Sequence, residues 1–424
     1  MPSDRTVSCD VVVAGGGPAG AACAYWLADA GWDVLLVEKK RFPRQKTCGD
    51  GLTPRSVRQL TDMGLAAELE GHHRFDGLRS IAFGRTLEMS WPDHPGFPSH
   101  GYVVTRHDLD QLVAERAQKA GATLWQESEA TEPLVADGRV VGARVRRKAT
   151  GEVVDARGRW LVVADGSNSR LGRALGAARD RSYPQGMAIR GYFLSPRHDE
   201  PWIESHLDVR DAQGNVLPGY GWIFPVGDGR VNVGVGLLST FSRWKDVNTT
   251  ALMEAFVEWA PRSWEISPAT SCGPPTGGRL PMGLSVGPRT GPGWALVGDA
   301  SGAINPFNGE GIAYAYETGR MAALALADAL GGSGRGRRAT EGGRDGLPGY
   351  EERLAASYGL YYRVARAFVR IIGRPELMRV LVGTGMHSRP LMEWVLRIMS
   401  NMLRPDELGP AEAAYRAVAA IARG

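Results

Sequence analysis

Apolar residues along the chain fall into distinct spacings, and each spacing predicts a different element. Residues 10–14, DVVVA, and 34–37, VLLV, are apolar runs separated by GGGPAG at 15–20 and an alanine-rich stretch reaching residue 30. Short runs bounded by glycine read as buried strands and the longer segment over 18–30 as a helix, so the N-terminus predicts a βαβ unit. Residues 160–164 and 294–297 repeat the buried-strand pattern, while 106–120 and 311–330 repeat the helical one. The helix over 106–120 has Asp108 and Asp110 near its start and Lys119 with Gly121 at its end, which matches helix start and stop signals.

A second spacing alternates. Asp137-Gly138 and Thr150-Gly151 punctuate short alternating segments and mark hairpins. From 181 to 275 the alternation persists between Gly and Pro turns, which predicts an antiparallel sheet. In its middle lies GYGWIFPVGDGRVNVGVG, residues 219–236, with Tyr220, Trp222 and Phe224 at every second position and Pro225 after them. Such spacing puts all these rings on one face of a strand. Residues 331–349, GGSGRGRRATEGGRDGLPG, carry almost no apolar side chains and read as a flexible linker. Beyond it, 350–403 is helical, aliphatic and repeatedly basic, with Arg363, Arg366, Arg370, Arg374, Arg379, Arg389 and Arg397.

The order of these elements predicts an α/β fold. A Rossmann-type dinucleotide-binding domain built from 1–72, 100–180 and 276–330 is interrupted by an antiparallel-sheet substrate domain at 73–99 and 181–275, and a helical region at 350–424 follows.

Composition narrows the functional classes. A chain of 424 residues exceeds what one hydrophobic core serves, so several packed units are expected. With 43% hydrophobic and 23% charged residues, the chain is expected to fold rather than remain disordered. A net charge of +4 without a long run of like charges argues against nucleic acid as a partner. Cys9, Cys23, Cys48 and Cys272 have neither CxxC nor metal-ligand spacing and the histidines do not cluster, so no metal is expected and a cytoplasmic location fits. Cys9 and Cys23 read as core, and His72-His73 as surface. Neither a signal peptide nor a membrane-spanning apolar run is visible, so export and insertion are not expected.

Candidate chemistry begins at GGGPAG. Gly15 permits the turn, Gly17 lets the backbone approach a pyrophosphate, and Gly20 lets helix and strand pack closely. Pro18 and Ala19 open the helix whose N-terminus would face the anion. Glu38, followed by Lys39, ends the second strand about 20 residues on, where a carboxylate can accept ribose hydroxyl protons. This unit alone fits FAD and NAD equally.

VVADGSNSRLGR, with Asp165, and WALVGDASGAINPFNGEGI, with Asp299, resemble the second and third fingerprints of para-hydroxybenzoate hydroxylase-like flavoproteins. The resemblance implies FAD, with Asp299 on the ribityl chain and Gly309, Gly311 and Ile312 bringing a helix N-terminus to the flavin pyrimidine. Arg106, in VVTRHDLDQ, matches that group's arginine near the ribityl-phosphate region. KTCGDGLTPRSV at 46–57 and the Tyr-x-Trp-x-Phe-Pro of 220–225 closely resemble the geranylgeranyl reductase family. So do NPFNGEGIAYAYETGR and LMEWVLRIMSNML, and the likeness covers nearly the whole chain. Flavin halogenases carry Trp-x-Trp-x-Ile-Pro instead, which is absent here.

The resemblance implies that reduced FAD saturates C=C bonds of a polyprenyl chain, either a geranylgeranyl group or a menaquinone side chain. An isolated trisubstituted alkene is electron-rich and accepts a hydride only with protonation. Such a reaction asks for a dry apolar tunnel, aromatic faces that tolerate positive charge, and one acid. Tyr220, Trp222, Phe224 and Pro225 are the expected substrate wall, and Gly49, Asp50 and Gly51 the expected loop beside the flavin. Cys48 and Tyr220 are the expected acids. NADPH or ferredoxin would supply electrons. The basic C-terminal helices are read equally as a lid and as a surface that docks peripherally on anionic lipid at the inner face of a membrane. The competing functions are a flavin monooxygenase of a hydrophobic or natural-product substrate and a non-catalytic prenyl-lipid carrier.

Overall fold

The computed structural model describes residues 5–331, 346–403 and Tyr415. β1 (Arg5–Ala14), α1 (Pro18–Asp29) and β2 (Val34–Val37) form the βαβ unit. β1 begins before its apolar run because exposed residues from Arg5 onward continue the ladder with a later strand. The chain then passes through β3 (Gly51–Leu52), α2 (Pro54–Asp62), α3 (Ala66–Leu69), β4 (His73–Phe75), β5 (Gly77–Ala82), β6 (Arg85–Ser90) and β7 (Gly101–Val103). Next come α4 (Arg106–Lys119), β8 (Thr123–Trp125), β9 (Ser128–Ala136), β10 (Arg139–Arg147), β11 (Val153–Val163), α5 (Arg170–Ala174) and β12 (Ala178–Arg179). β13 (Gln185–Leu194), β14 (Trp202–His206), β15 (Gly219–Pro225), β16 (Arg230–Leu238), α6 (Thr249–Trp259) and β17 (Thr276–Pro281) lead to β18 (Val286–Gly287), β19 (Thr290–Gly291) and β20 (Trp294–Leu296). α7 (Ile312–Leu330), α8 (Pro348–Ile372), α9 (Pro375–Gly385) and α10 (Arg389–Met399) follow.

The first sheet has eight strands, in the order β19-β20-β11-β1-β2-β8, with β10 and β9 continuing from β11. From β20 to β8 the neighbours are parallel. Register places Ala14 beside Val37 and Val163, and Val163 beside Leu296. Gly15, Glu38, Asp165 and Asp299 therefore leave the sheet at one carboxyl edge, the edge at which open α/β sheets bind ligands. α1 and α7 pack together over this sheet, so closely that a Cβ on Gly319 would stand 2.3 Å from the Ala19 carbonyl oxygen.

The second sheet has seven strands in the order β17-β13-β16-β15-β14-β5-β6, and its two faces explain the run VNVGVG. Val231, Val233 and Val235 join Ile223 in a core with Leu252, Met253 and Phe256 of α6. On the opposite face, Asn232, Gly234 and Gly236 are the register partners of Phe224, Trp222 and Tyr220. A Cβ on Gly234 would stand 2.2 Å from the Trp222 ring. Bare backbone at these positions lets the rings lie across the sheet. α9 and α10 cover part of the same face, where Met386, Met392 and Leu396 cluster with Phe75, Met89, Trp91 and Ile203.

Two expected boundaries move. β17 belongs to the second sheet, so the return to the nucleotide-binding unit comes after Pro281 rather than at 276. β4, expected in the substrate domain, pairs with β7 beside β3 in a small three-stranded sheet. His73 on β4 is half-buried rather than a surface residue, its Nε2 lying 2.8 Å from the Glu200 carbonyl. α8 begins at Pro348, inside the expected linker. The rest of that linker over 332–345, and 404–424 apart from Tyr415, lie outside the described residues.

Candidate active site

The glycines of the first turn are held for different reasons. Gly15 has φ +115° and its Cβ would stand 2.3 Å from the Ala164 carbonyl oxygen, while a Cβ on Gly20 would stand 1.9 Å from the Gly15 oxygen. Around Gly17 the protein leaves room: its Cβ would meet nothing nearer than Arg44 Nη2 at 3.7 Å. α1 starts there, with Pro18 and then Ala19 in its first turn and no side chain capping it. Its free N–H groups and positive dipole end are left for a ligand.

Arg44 and Arg106 face that end, both held by the buried Asp110. Arg44 Nη1 lies 2.9 Å from it, and Arg106 donates twice, at 2.6 and 2.7 Å. Burial would pull the Arg106 guanidinium down, but Asp110 holds it well above its ordinary value. Arg44 also pairs with Glu38, its Nε 3.4 Å from Oε1, so the two guanidiniums are held by two carboxylates, and they gather N–H donors suited to a pyrophosphate at a helix N-terminus. Glu38 accepts from the backbone N–H of Gly16 at 3.0 Å and of Lys40 at 2.9 Å, which fixes the turn, while Lys39 stands exposed at the rim.

Two carboxylates in this region have oxygens to spare. Asp165 Oδ2 caps α5 by accepting from Arg170 N at 2.8 Å and Leu171 N at 3.2 Å, and its Oδ1 is buried without a partner. The Asp299 carboxylate accepts no hydrogen bond from the described residues, although its backbone carbonyl accepts from Gly302 N at 3.0 Å. Burial pushes its carboxyl up, against the pull of Lys46 and Arg106. Its Oδ1 would lie 3.6 Å from a Cβ on Gly311, the uncapped start of α7, where Ile312 is the first helical residue. Gly309, at φ +73°, turns the chain into that helix. Open space at Gly17, orphaned carboxylate oxygens and two bare helix N-termini together fit FAD.

Loop 46–51 is pinned to the second sheet. The Cys48 carbonyl accepts from Arg190 Nε at 3.1 Å and Asn232 Nδ2 at 2.9 Å, and the Lys46 carbonyl from Arg190 Nη2 at 3.2 Å. Asp50, at φ 65°, is fully buried. Its carboxylate accepts from Tyr192 Oη, from Asn232 Nδ2 at 2.7 Å and from Arg106 N at 3.3 Å. Burial pushes this carboxyl up, while Tyr192, Arg190 and Asn232 pull it down. Asp50, expected to touch substrate, thus spends its oxygens on holding the loop. Gly49 and Gly51 lie against the aromatic wall: a Cβ on Gly49 would stand 3.4 Å from Phe224 and Trp222, and one on Gly51 3.1 Å from Phe224.

Tyr220, Trp222 and Phe224 line up with ring centroids 5.7 and 6.3 Å apart, and Pro225 ends the strand in a buried position. Trp222 Nε1 donates to Asn232 Oδ1 at 3.0 Å, so one asparagine ties wall and loop together. Tyr220 donates to the Asn308 carbonyl at 2.9 Å, and burial followed by the neighbouring Cys48 and Glu310 pushes its hydroxyl up to about 12. Burial, reinforced by Asp50, also raises the Cys48 thiol, although the side chain still faces the cavity. Both expected acids therefore hold their protons tightly.

A cavity of about 920 Å³ joins these features. It runs from Gly17, Arg44 and Asp165, past Cys48 and the aromatic wall, to Met378, Leu381, Leu391 and Met392 on α9 and α10. Arg44, Asp110, Asn232, Tyr192 and Glu310 are functional candidates that sequence reasoning missed. Glu310, inside the GEGI motif, carried a legible signal: a carboxylate between two glycines at a helix start.

An FAD-binding-domain family matches residues 8–204. The menaquinone reductase of Mycobacterium tuberculosis is 40% identical over 403 residues, which cover 94% of this chain and 93% of that protein. Digeranylgeranylglycerophospholipid reductase 1 of Methanopyrus kandleri is 31% identical over 76% of this chain and 81% of its own length. Among solved structures, a geranylgeranyl bacteriochlorophyll reductase-like protein from Thermoplasma acidophilum superposes with a TM-score of 0.78 at 23% identity, over 97% of this chain and 100% of that one.

Proposed function

The chain belongs to the geranylgeranyl reductase family of FAD-dependent isoprenoid reductases, and from that premise we propose that its substrate is the polyprenyl side chain of a menaquinone. The observation that carries the choice is the course of the cavity. It leaves the FAD site along the aromatic wall and ends among apolar residues of α9 and α10, a lining suited to a long hydrocarbon tail. A diphosphate headgroup would ask for paired cations, and the α9 and α10 residues that line this end include none. The similarity to the mycobacterial menaquinone reductase over nearly the full length points the same way.

Arg44, Arg106, Glu38, Asp165 and Asp299 are the residues that would hold FAD, on the geometry described above. Reduced FAD supplies a hydride. The chain's own part is to orient the alkene against Tyr220, Trp222 and Phe224, keep water out, and tolerate positive charge on the carbon skeleton by offering ring faces. Loop 46–51, pinned through Asp50, Arg190 and Asn232, closes the space between wall and nucleotide site.

The outer end of the cavity suits a membrane surface. Leu381 and Leu391 both line it and stand exposed, at 46% and 36%, next to Leu377, Val380 and Ile371, exposed at 40%, 64% and 46%. Arg374 and Arg379, in the same stretch of chain, are exposed and add positive charge that suits anionic lipid. No helix among the described residues is long and apolar enough to cross a membrane. The electron donor in this reading is diffusible, NADPH or a ferredoxin.

Reduced holoprotein should be offered menaquinone and geranylgeranyl diphosphate separately without air, and the extracted prenyl chains weighed, because the quinone ring can itself reoxidise flavin. Hydrogen gained in pairs by the menaquinone side chain supports the proposal. A gain by the diphosphate alone would transfer the assignment to that substrate.

A further inference from the structure

Saturating an alkene consumes a proton as well as a hydride, and the groups expected to provide it are poorly placed to do so. Tyr220 has committed its O–H to a backbone carbonyl, and the Cys48 thiol is raised by burial and Asp50. Glu310 is differently placed. It lines the same cavity, between Gly309, whose Cβ would stand 3.4 Å from Tyr220 Oη, and Gly311, whose Cβ would stand 3.6 Å from Asp299 Oδ1. Its backbone is fixed, because its N–H donates to Asn308 Oδ1 at 3.0 Å and its carbonyl accepts from Asn305 N at 2.9 Å. One carboxylate oxygen accepts from Thr53 Oγ1, the residue preceding α2. The other, Oε2, is buried and has no hydrogen-bond partner.

We propose that Glu310 is the acid that protonates the isoprenoid double bond. The proposal rests on the reductase reading above. An ionised carboxylate with a buried, unpartnered oxygen is costly, whereas a protonated one is nearly neutral there and carries a proton it can release. Burial raises this carboxyl to about 7, Glu317 adds to the rise, and Thr53 and Arg55 oppose it. Ser56 lies close enough to favour the ionised form but makes no hydrogen bond to it. The charged and titratable groups facing Glu310 are Arg55 on α2, Glu317 and Tyr314 on α7, Tyr362 on α8 and Tyr220 on β15. Arg55 is largely neutralised by its 2.7 Å ion pair with Glu317, so it cannot hold Glu310 fully ionised. In the step itself one O–H bond of Glu310 breaks and one C–H bond forms. The flavin hydride forms the other C–H bond, FAD is left oxidised, and the carboxylate regains a proton from water. An acid with affinity near the working pH is the efficient kind.

Glu310→Gln keeps an acceptor for Thr53 and removes the proton. Anaerobic single-turnover saturation of the menaquinone side chain by the reduced holoprotein, followed by mass in quenched samples, should slow by about a hundredfold or more, while FAD binding and dithionite reduction stay as in wild type. The wild-type rate should fall as pH rises through about 7, and the variant should lack that limb. Thr53→Ala removes a bond that favours the carboxylate, so it should move the limb to higher pH. In the FAD-free protein, a protonated-carboxyl infrared band that titrates over the same range should vanish in Glu310→Gln. A variant that keeps both the wild-type rate and the wild-type pH limb would overturn the proposal. A wild type that saturates no isoprenoid would overturn the reductase reading and this assignment with it.

Discussion

Gly234→Ala puts one methyl group where the structure has none to spare. Its Cβ would stand 2.2 Å from Trp222 Cζ2 and 2.6 Å from the Ile189 carbonyl oxygen. Ordinary carbon contacts begin at about 3.5 Å, so the ring must retreat by more than about 1 Å, because the carbonyl belongs to a paired strand and cannot. Trp222 cannot retreat alone either: its Nε1 is tied to Asn232, which also holds the Cys48 carbonyl and Asp50. Overpacking costs about 1–3 kcal/mol, and losing the indole hydrogen bond adds about 0.5–1.5 kcal/mol. The expected loss of stability is therefore about 2–4 kcal/mol. Gly236→Ala on the same strand is the control, since its Cβ would meet nothing closer than 3.7 Å, and its stability should stay within about 0.5 kcal/mol of wild type. Urea unfolding of both variants, with flavin fluorescence as a check on FAD occupancy, measures the difference. Menaquinone affinity should drop about tenfold in Gly234→Ala if about 1.4 kcal/mol of wall contact is lost. Equal stability of the two variants would refute the account of why glycines face the rings.

Other consequences can be measured directly. Asp110→Ala strands the buried Arg106 guanidinium and leaves Arg44 with Glu38 alone, and it should cost about 3–5 kcal/mol in urea unfolding of the FAD-free protein. Arg44→Ala should weaken FAD binding by about 10- to 100-fold in a fluorescence titration, the range for losing one charge-assisted contact. The Glu310 carboxyl is raised in the folded state from 4.5 to about 7, so its contribution to stability is present below pH 4.5 and is lost as pH rises to about 7. On the order of 3 kcal/mol should disappear over that window in the FAD-free protein, and Glu310→Gln should remove that loss. Val380→Asp together with Leu377→Glu should abolish co-sedimentation with anionic vesicles while leaving FAD binding unchanged, and retained co-sedimentation would sink the membrane-facing assignment.

The βαβ unit was legible because its determinants are local. Glycine spacing, the apolar runs and the acid after β2 all lie within residues 10–38. The aromatic stripe was legible as a face, since strand period alone fixes it. What the glycines of β16 do was not, because that depends on the register between β15 and β16. Asp50 read as a substrate contact, yet its carboxylate is taken by Tyr192 and Asn232, 142 and 182 residues away. Glu310 was legible as a carboxylate between two glycines, but its surroundings were not, because Thr53, its partner, is 257 residues distant. Arg44 and Asp110 likewise become a pair only when α4 is laid against the first turn. β17 was assigned to the wrong side of a boundary because TGGRLP shows no apolar alternation, and its edge position, paired on one side with β13, is what makes it a strand.

Saturation of an isoprenoid by this chain's FAD is tested most directly by mass. Holoprotein reduced with dithionite in D₂O without air is mixed with menaquinone, and the quinone is extracted and weighed. Two deuterium atoms gained per saturated bond, with the flavin returned to its oxidised absorbance, is the predicted result. An unchanged side chain, with oxygen added only once air and NADPH are admitted, would contradict it and point to a monooxygenase.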